Sequence, residues 1–183
     1  MKKHAFNIAA FLWGVAEATL FFVVPDVLLC YRGLERGPRA AAIASVFAAL
    51  GAACGGACMF WWSATSAAAA RAAVLAVPAV SEAMAERAAA AMAENWFLAT
   101  LLGPLSATPF KLYAILAPHA GAAPAAFALA GFAARLPRFL ILSVGVALLA
   151  RVLAPRVSPT AQTCMLAAAW LLFYAAFFTL MPN

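Results

Sequence analysis

Apolar residues in this chain fall in blocks, at about 5–31, 40–62, 96–118, 122–150 and 161–181, separated by Arg, Pro and Gly punctuation. Blocks of this length match a helix crossing the hydrocarbon core of a bilayer, which takes about 20 apolar residues. Three of them read as plain spans. The stretch 40–62 carries no charge, and Gly51 and Gly55 beside Ala52 and Gly56 give the small-residue spacing that lets helices approach closely. The stretch 161–181 is equally clean and ends in aromatics. The stretch 122–150 is long enough to span with tilt and holds Arg135, Pro137 and Arg138 near its centre.

The other two blocks are interrupted. "AEATLFFVVPDVLL" carries Glu17 and Asp26 with Pro25 beside the second acid, and "LLGPLSATPFKLYAILAPHAG" carries Gly103, Pro104, Pro109, Lys111, Pro118 and Gly121. A continuous helix tolerates such prolines badly, because each removes a donor and clashes with the preceding turn. Broken backbone at membrane depth is accepted where protein or a wet cavity covers it. The pattern therefore predicts two re-entrant hairpins, over 5–38 and 96–121, with Pro25, Pro109 and Gly121 at their turns.

Between them, 64–95 reads as an interfacial arm joining two halves. From Ser81 it has the form of a capped surface helix, with Ser81 as N-cap, Glu82 in the first turn, and Met84, Ala88, Ala91 and Met92 on one side. The alternative is a fifth span in the Ala-rich first part, with Arg71 and Pro78 inside it. If the first hairpin enters and leaves on one side, Lys2, Lys3, Arg32, Arg36, Arg39, Arg151 and Arg156 share that side as exposed cations, against Arg71 and Arg87 on the other. That obeys the positive-inside tendency. Two hairpins from opposite faces, in corresponding places of two halves, form the inverted repeat of secondary transporters.

Composition agrees. Of 183 residues, 68% are hydrophobic and 10% charged, and the mean hydropathy is +0.98, far from a soluble domain. The expected fold class is an all-α membrane protein, one integral membrane domain over 1–183. The net charge of +6 could suggest nucleic acid, but no basic run or basic face with interleaved aromatics supports it, and topology is the better use of these cations. The start "MKKHAFNIAAFLWGVAEA" has the form of a signal peptide, although Glu17 and the apolar run through Leu29 argue against cleavage. Cys30, Cys54, Cys58 and Cys164 lie in apolar stretches and read as small apolar filler. No metal motif, phosphate loop or cofactor signature appears. Ser106 and His119, thirteen apart in sequence, do not establish a nucleophile and base, so the chain is read as a non-enzyme.

Glu17, Asp26, Lys111, Arg135 and Arg138 remain at membrane depth. A charge there costs on the order of 3 kcal/mol on insertion scales. Glu17 and Asp26 are expected to meet Lys111 and the Arg135/Arg138 pair, either as structural salt bridges or as a polar pathway for an ion, proton or polar head group.

The order "EATLFFVVPDVLL", "TPFKLYAILAPHAG" and "ARLPRF" over about residues 10–145 resembles the DedA family, also called the SNARE-associated or VTT domain family, and its small YqaA-like bacterial branch. The resemblance implies a multi-pass bacterial inner-membrane protein with two opposed re-entrant hairpins, linked to lipid movement and proton-motive force. By that similarity Glu17 and Asp26 match the acidic positions of the first hairpin, Lys111 the basic position of the second, and Arg135 or Arg138 the arginine of the following helix. Larger relatives commonly carry arginines around the second hairpin's proline motif, where this chain has only Lys111. The expectation is a transporter or scramblase of a phospholipid or polyprenyl-phosphate carrier. Lys111, Arg135 and Arg138 would take the lipid phosphate, and Glu17 and Asp26 would hold those cations and accept a proton. A non-transporting scaffold is the alternative. So short a chain leaves little lipid-facing cover, which a homodimer would supply.

Overall fold

The structure, a computed structural model, describes residues 3–106 and 108–180. Lys2, the Lys3 side chain and Met181 lie outside the described residues. Eight α-helices and one 3-10 turn are described, with no strand among the described residues. They are α1 (Lys3–Ala18), α2 (Asp26–Arg36), α3 (Pro38–Thr65), α4 (Ala67–Leu75), α5 (Glu82–Leu102), the 3-10 turn Gly103–Leu105, α6 (Phe110–Leu116), α7 (Pro124–Leu153) and α8 (Pro159–Leu180). Among the described residues, three helices are long and apolar enough to cross a membrane: α3, α7 and α8, with 28, 30 and 22 residues. They are the three stretches whose sequence reads as plain spans.

Helix α3 is the axis. Its Ser45 hydroxyl meets that of Ser143 on α7 at 3.0 Å, and Phe60, two turns beyond Gly51, packs on Phe127 with ring centroids 5.9 Å apart. Sequence rises along one helix as it falls along the other, so α3 and α7 are antiparallel. Helix α1 lies parallel to α3, buried through Phe6, Ala10, Gly14, Glu17 and Ala18 at the three- and four-residue spacing of one helix face. The approach is close enough to demand glycine. A Cβ at Gly51 would lie 2.0 Å from the Phe11 carbonyl oxygen, and one at Gly14 would lie 2.1 Å from that of Ala48.

Helix α2 runs back along α7. Asp26 meets Arg138 at its start, and Gly33 lies against Ser143 and Ala147 further on. Near its end, the Arg32 guanidinium stands 4.4 Å over the ring of Phe6. The chain thus enters, breaks and returns to the end where it began. Arg32, expected among the exposed cations, is buried, because its position on α2 turns it onto Phe6, with Glu35 as its ion-pair partner. Arg36, Arg39, Arg151 and Arg156 are exposed.

The 64–95 region belongs to the larger core. Ala70, Val74, Met84, Ala88 and Met92 join Met59, Phe110 and Phe127 in one buried cluster. Ser81 caps α5, its hydroxyl accepting from the Met84 amide at 3.4 Å, while Arg71 and Glu82 pair at the surface. Helix α5 does not end at 95 but kinks there. Asn95 leaves the helical region at φ −160° and ψ 97°, and its side chain accepts from the amides of Phe97 and Leu98, restarting the helix as an N-cap does. Cys30 is buried, whereas Cys54, Cys58 and Cys164 are exposed rather than filling the core.

Candidate functional site

The first break covers residues 19–25 between α1 and α2. Three of its backbone groups, at part-buried positions, are met by side chains from three other elements. The Trp13 indole of α1 donates to the Val23 carbonyl at 2.9 Å. Lys111 of α6 donates through Nζ to the Phe21 carbonyl at 2.8 Å. The Val24 amide donates to the Tyr174 hydroxyl of α8 at 3.0 Å.

In the second break, between α5 and α6, the described residues bond mainly among themselves. Ser106 Oγ donates to the Gly103 carbonyl at 2.9 Å and lies 3.1 Å from the Tyr113 hydroxyl, and the Thr108 hydroxyl donates to the Ser106 carbonyl at 3.4 Å. Helix α6 then starts with Phe110 wedged between α3 and α7. A Cβ at Gly56 or Gly131 would come within 2.8 or 2.7 Å of that ring, which stacks on Phe127 at 5.7 Å and 7°. From there α6 runs to the far end of α3, where the Ser63 hydroxyl donates to the Ile115 carbonyl at 2.6 Å.

Both breaks therefore meet in the interior of the bundle, beside the middle of α7. The buried residues of α7, among them Phe127, Gly131, Arg135 and Phe139, recur every three or four positions and form its inner face. Arg135 lies on that face, and Arg138 at its edge. Arg135 donates through Nη2 to both carboxylate oxygens of Glu17, at 2.6 Å to Oε1. Its guanidinium also lies 4.9 Å over the Phe110 ring, a favourable cation–π placement. Arg138 donates through Nη2 to Asp26 Oδ2 at 2.9 Å. The two pairs differ in exposure: the Glu17 and Arg135 side chains are 8% and 3% exposed, whereas Arg138 is 32% exposed over a fully buried Asp26. Asp26 Oδ1 and Arg135 Nε are buried without a hydrogen-bond partner.

Glu17, Lys111, Arg135 and Arg138 line one cavity of about 360 Å³, with Tyr113 and Tyr174, and Asp26 lies behind Arg138. All five charged candidates are thus together, and the two acids pair with Arg135 and Arg138 as expected, while Lys111 does not pair with an acid. Lys111 meets the broken backbone at Phe21 rather than an acid, since Glu17 is taken by Arg135 and Asp26 by Arg138. Pro25 and Pro109 stand at the starts of α2 and α6. Gly121 lies outside the breaks, in the connection to α7, where its φ of +75° explains the glycine. Ser106 and His119 engage different partners, His119 lying 3.0 Å from the Ser63 hydroxyl. Among the described residues no cluster of His, Cys, Asp and Glu has the makeup of a metal site.

Sequence reasoning missed Phe110, Gly131 and Tyr174. Gly131 is legible in retrospect, one helical turn before Arg135 on the same face. Tyr174 carries no such mark, because a tyrosine near the end of an apolar span is ordinary. Compared with family models, with curated proteins and with solved structures, the chain matches none.

Proposed function

We propose that this chain moves a phosphate-bearing lipid, a phospholipid or polyprenyl phosphate, across a bacterial inner membrane. The observation that carries the reading is the charged cavity itself. Three cations and Glu17 line it, with Asp26 behind Arg138, which leaves one positive charge in excess over these five residues inside an apolar bundle, and intramembrane charges at a cavity mark pathways. Arg138, about a third exposed at the edge, is the first cation a phosphate would reach, and an arginine fork suits its oxygens. Lys111 and Arg135 lie deeper. The two breaks approach the cavity as two re-entrant hairpins of an inverted repeat would, and the resemblance to the DedA family agrees with that arrangement.

A phosphate drawing Arg135 or Arg138 away from its carboxylate, and adding a like charge, favours protonation of that acid. Glu17 or Asp26 would then take up a proton as lipid enters. The arginine-rich end, with Arg36, Arg39, Arg151 and Arg156, would face the cytoplasm. A cysteine at Ser81 would then label from outside intact cells and one at Ser158 only after permeabilisation; the reverse pattern overturns this orientation.

A second reading has its own support. Both acids are already paired with arginines, as in a scaffold held by structural ion pairs. Reconstitution into liposomes with a fluorescent lipid and a dithionite quench separates the two. The chain should move lipid in a pH-dependent way, and Glu17→Gln should flatten that dependence. Glu17→Gln combined with Arg135→Met removes both partners of a buried pair, a change such pairs often tolerate. On the transport reading this double variant folds and is inactive; a folded, active one leaves the pair structural.

A further inference from the structure

The charged cavity is not sealed within the bundle. At Phe22 and Tyr174 it adjoins a second space of about 670 Å³, an apolar groove lined by Trp13, Val27, Leu28, Leu166, Leu171 and Phe178, among others. Phe22 and Tyr174 line both. The groove runs between the first broken segment with α2 on one side and α8 on the other. Helix α8 is a separate wall. None of its most apolar window is buried, and Gln162 is its one buried residue among those described. It touches the first break at the Tyr174 hydroxyl, which holds the Val24 amide, and at Phe178, whose ring meets Phe22 edge-on at 5.7 Å.

A cationic cavity beside an apolar groove, the two sharing Phe22 and Tyr174 as walls, repeats the pattern of an amphiphile, with a charged head joined to a hydrocarbon tail. We propose that the groove between α2 and α8 holds the hydrocarbon tail of the same lipid whose phosphate enters the cavity, with Phe22 and Tyr174 at the junction of head and tail. The inference rests on the lipid-transport reading above and adds where the tail travels: alongside α8, open to the bilayer, while only the head group passes the interior. Size is consistent, since the cavity and the groove each fall within the range of about 300–1,000 Å³ typical of small-molecule sites. The Tyr174 contact gives the coupling between them, because the residue that lines the groove also supports the broken backbone of the cavity.

Two tryptophans, Trp13 and Trp170, line the groove and report on it. With Trp61, Trp62 and Trp96 changed to Phe, the chain is placed in phosphatidylcholine vesicles doped with a minor fraction of a lipid brominated in its tails. One arm uses phosphatidate and the other uses diacylglycerol with the same tails. Quenching by the phosphatidate should be several-fold steeper than random mixing allows, and should fall to the random level in Ala167→Phe and in Val27→Phe, which fill the groove from opposite walls. Helical content by circular dichroism shows which of these variants is folded, and either suffices. Equal enrichment of both lipids upholds the groove and overturns the phosphate reading. Random-level quenching by both overturns the groove, whatever the transport assay gives. A second copy covering the groove is the rival occupant. With the four native cysteines changed to Ala, Leu171→Cys would then form disulfide-linked dimers in dilute vesicles, and that result also overturns the proposal.

Discussion

The two breaks in this chain solve one problem in different ways. Residues 19–25 leave backbone groups that Trp13, Lys111 and Tyr174 satisfy from α1, α6 and α8. In the second break, among the described residues 103–106 and 108–109, Ser106 and Thr108 bond within the segment, beside Tyr113. The first break is thus a product of tertiary structure, and the second is largely local. The charged centre is built on the first: Glu17 ends the helix before it, Asp26 begins the helix after it, and Lys111 caps its backbone. Any shift of α1, α6 or α8 therefore reaches the first break directly.

The largest test of that contrast is Arg135→Ala. It strands Glu17 in the interior and should cost about 3–5 kcal/mol, read as a fall in thermal midpoint in detergent, with Glu17→Gln in the same chain recovering much of the loss. Lys111→Met comes next. It leaves the Phe21 carbonyl without its donor at a part-buried contact, for about 1–2 kcal/mol, and hydrogen exchange should rise in 19–25 but not in the described residues of the second break. Tyr174→Phe removes the acceptor of the Val24 amide at a half-buried site and should cost about 1 kcal/mol, with the exchange increase again confined to the first break and α8. Ser106→Ala should do least, below about 0.5 kcal/mol in the manner of an exposed substitution, since Ser106 is exposed and water can replace its hydroxyl. If Ser106→Ala destabilises as much as Lys111→Met, the second break is not locally closed and the contrast fails.

Sequence by itself determined the blocks that become α3, α7 and α8, since apolar length is a local property. It also pointed to both breaks, because Pro25 and Pro109 disfavour helix continuity, although proline alone does not decide it, since Pro137 stays inside α7, and it marked the five charges whose burial demands partners. The Gly51 and Gly55 spacing announced a close helix contact without saying that α1 would make it. Which charge meets which was decided only by tertiary structure. Glu17 and Arg135 are 118 residues apart and Asp26 and Arg138 are 112 apart, and their pairing depends on the direction and rotation of α1, α2 and α7 about α3. The use of Lys111 as a backbone cap, and of Tyr174 as a link between α8 and the first break, follows from the same packing: a side chain's partner is set by the neighbour its helix face is turned toward, and sequence spacing fixes the face but not the neighbour.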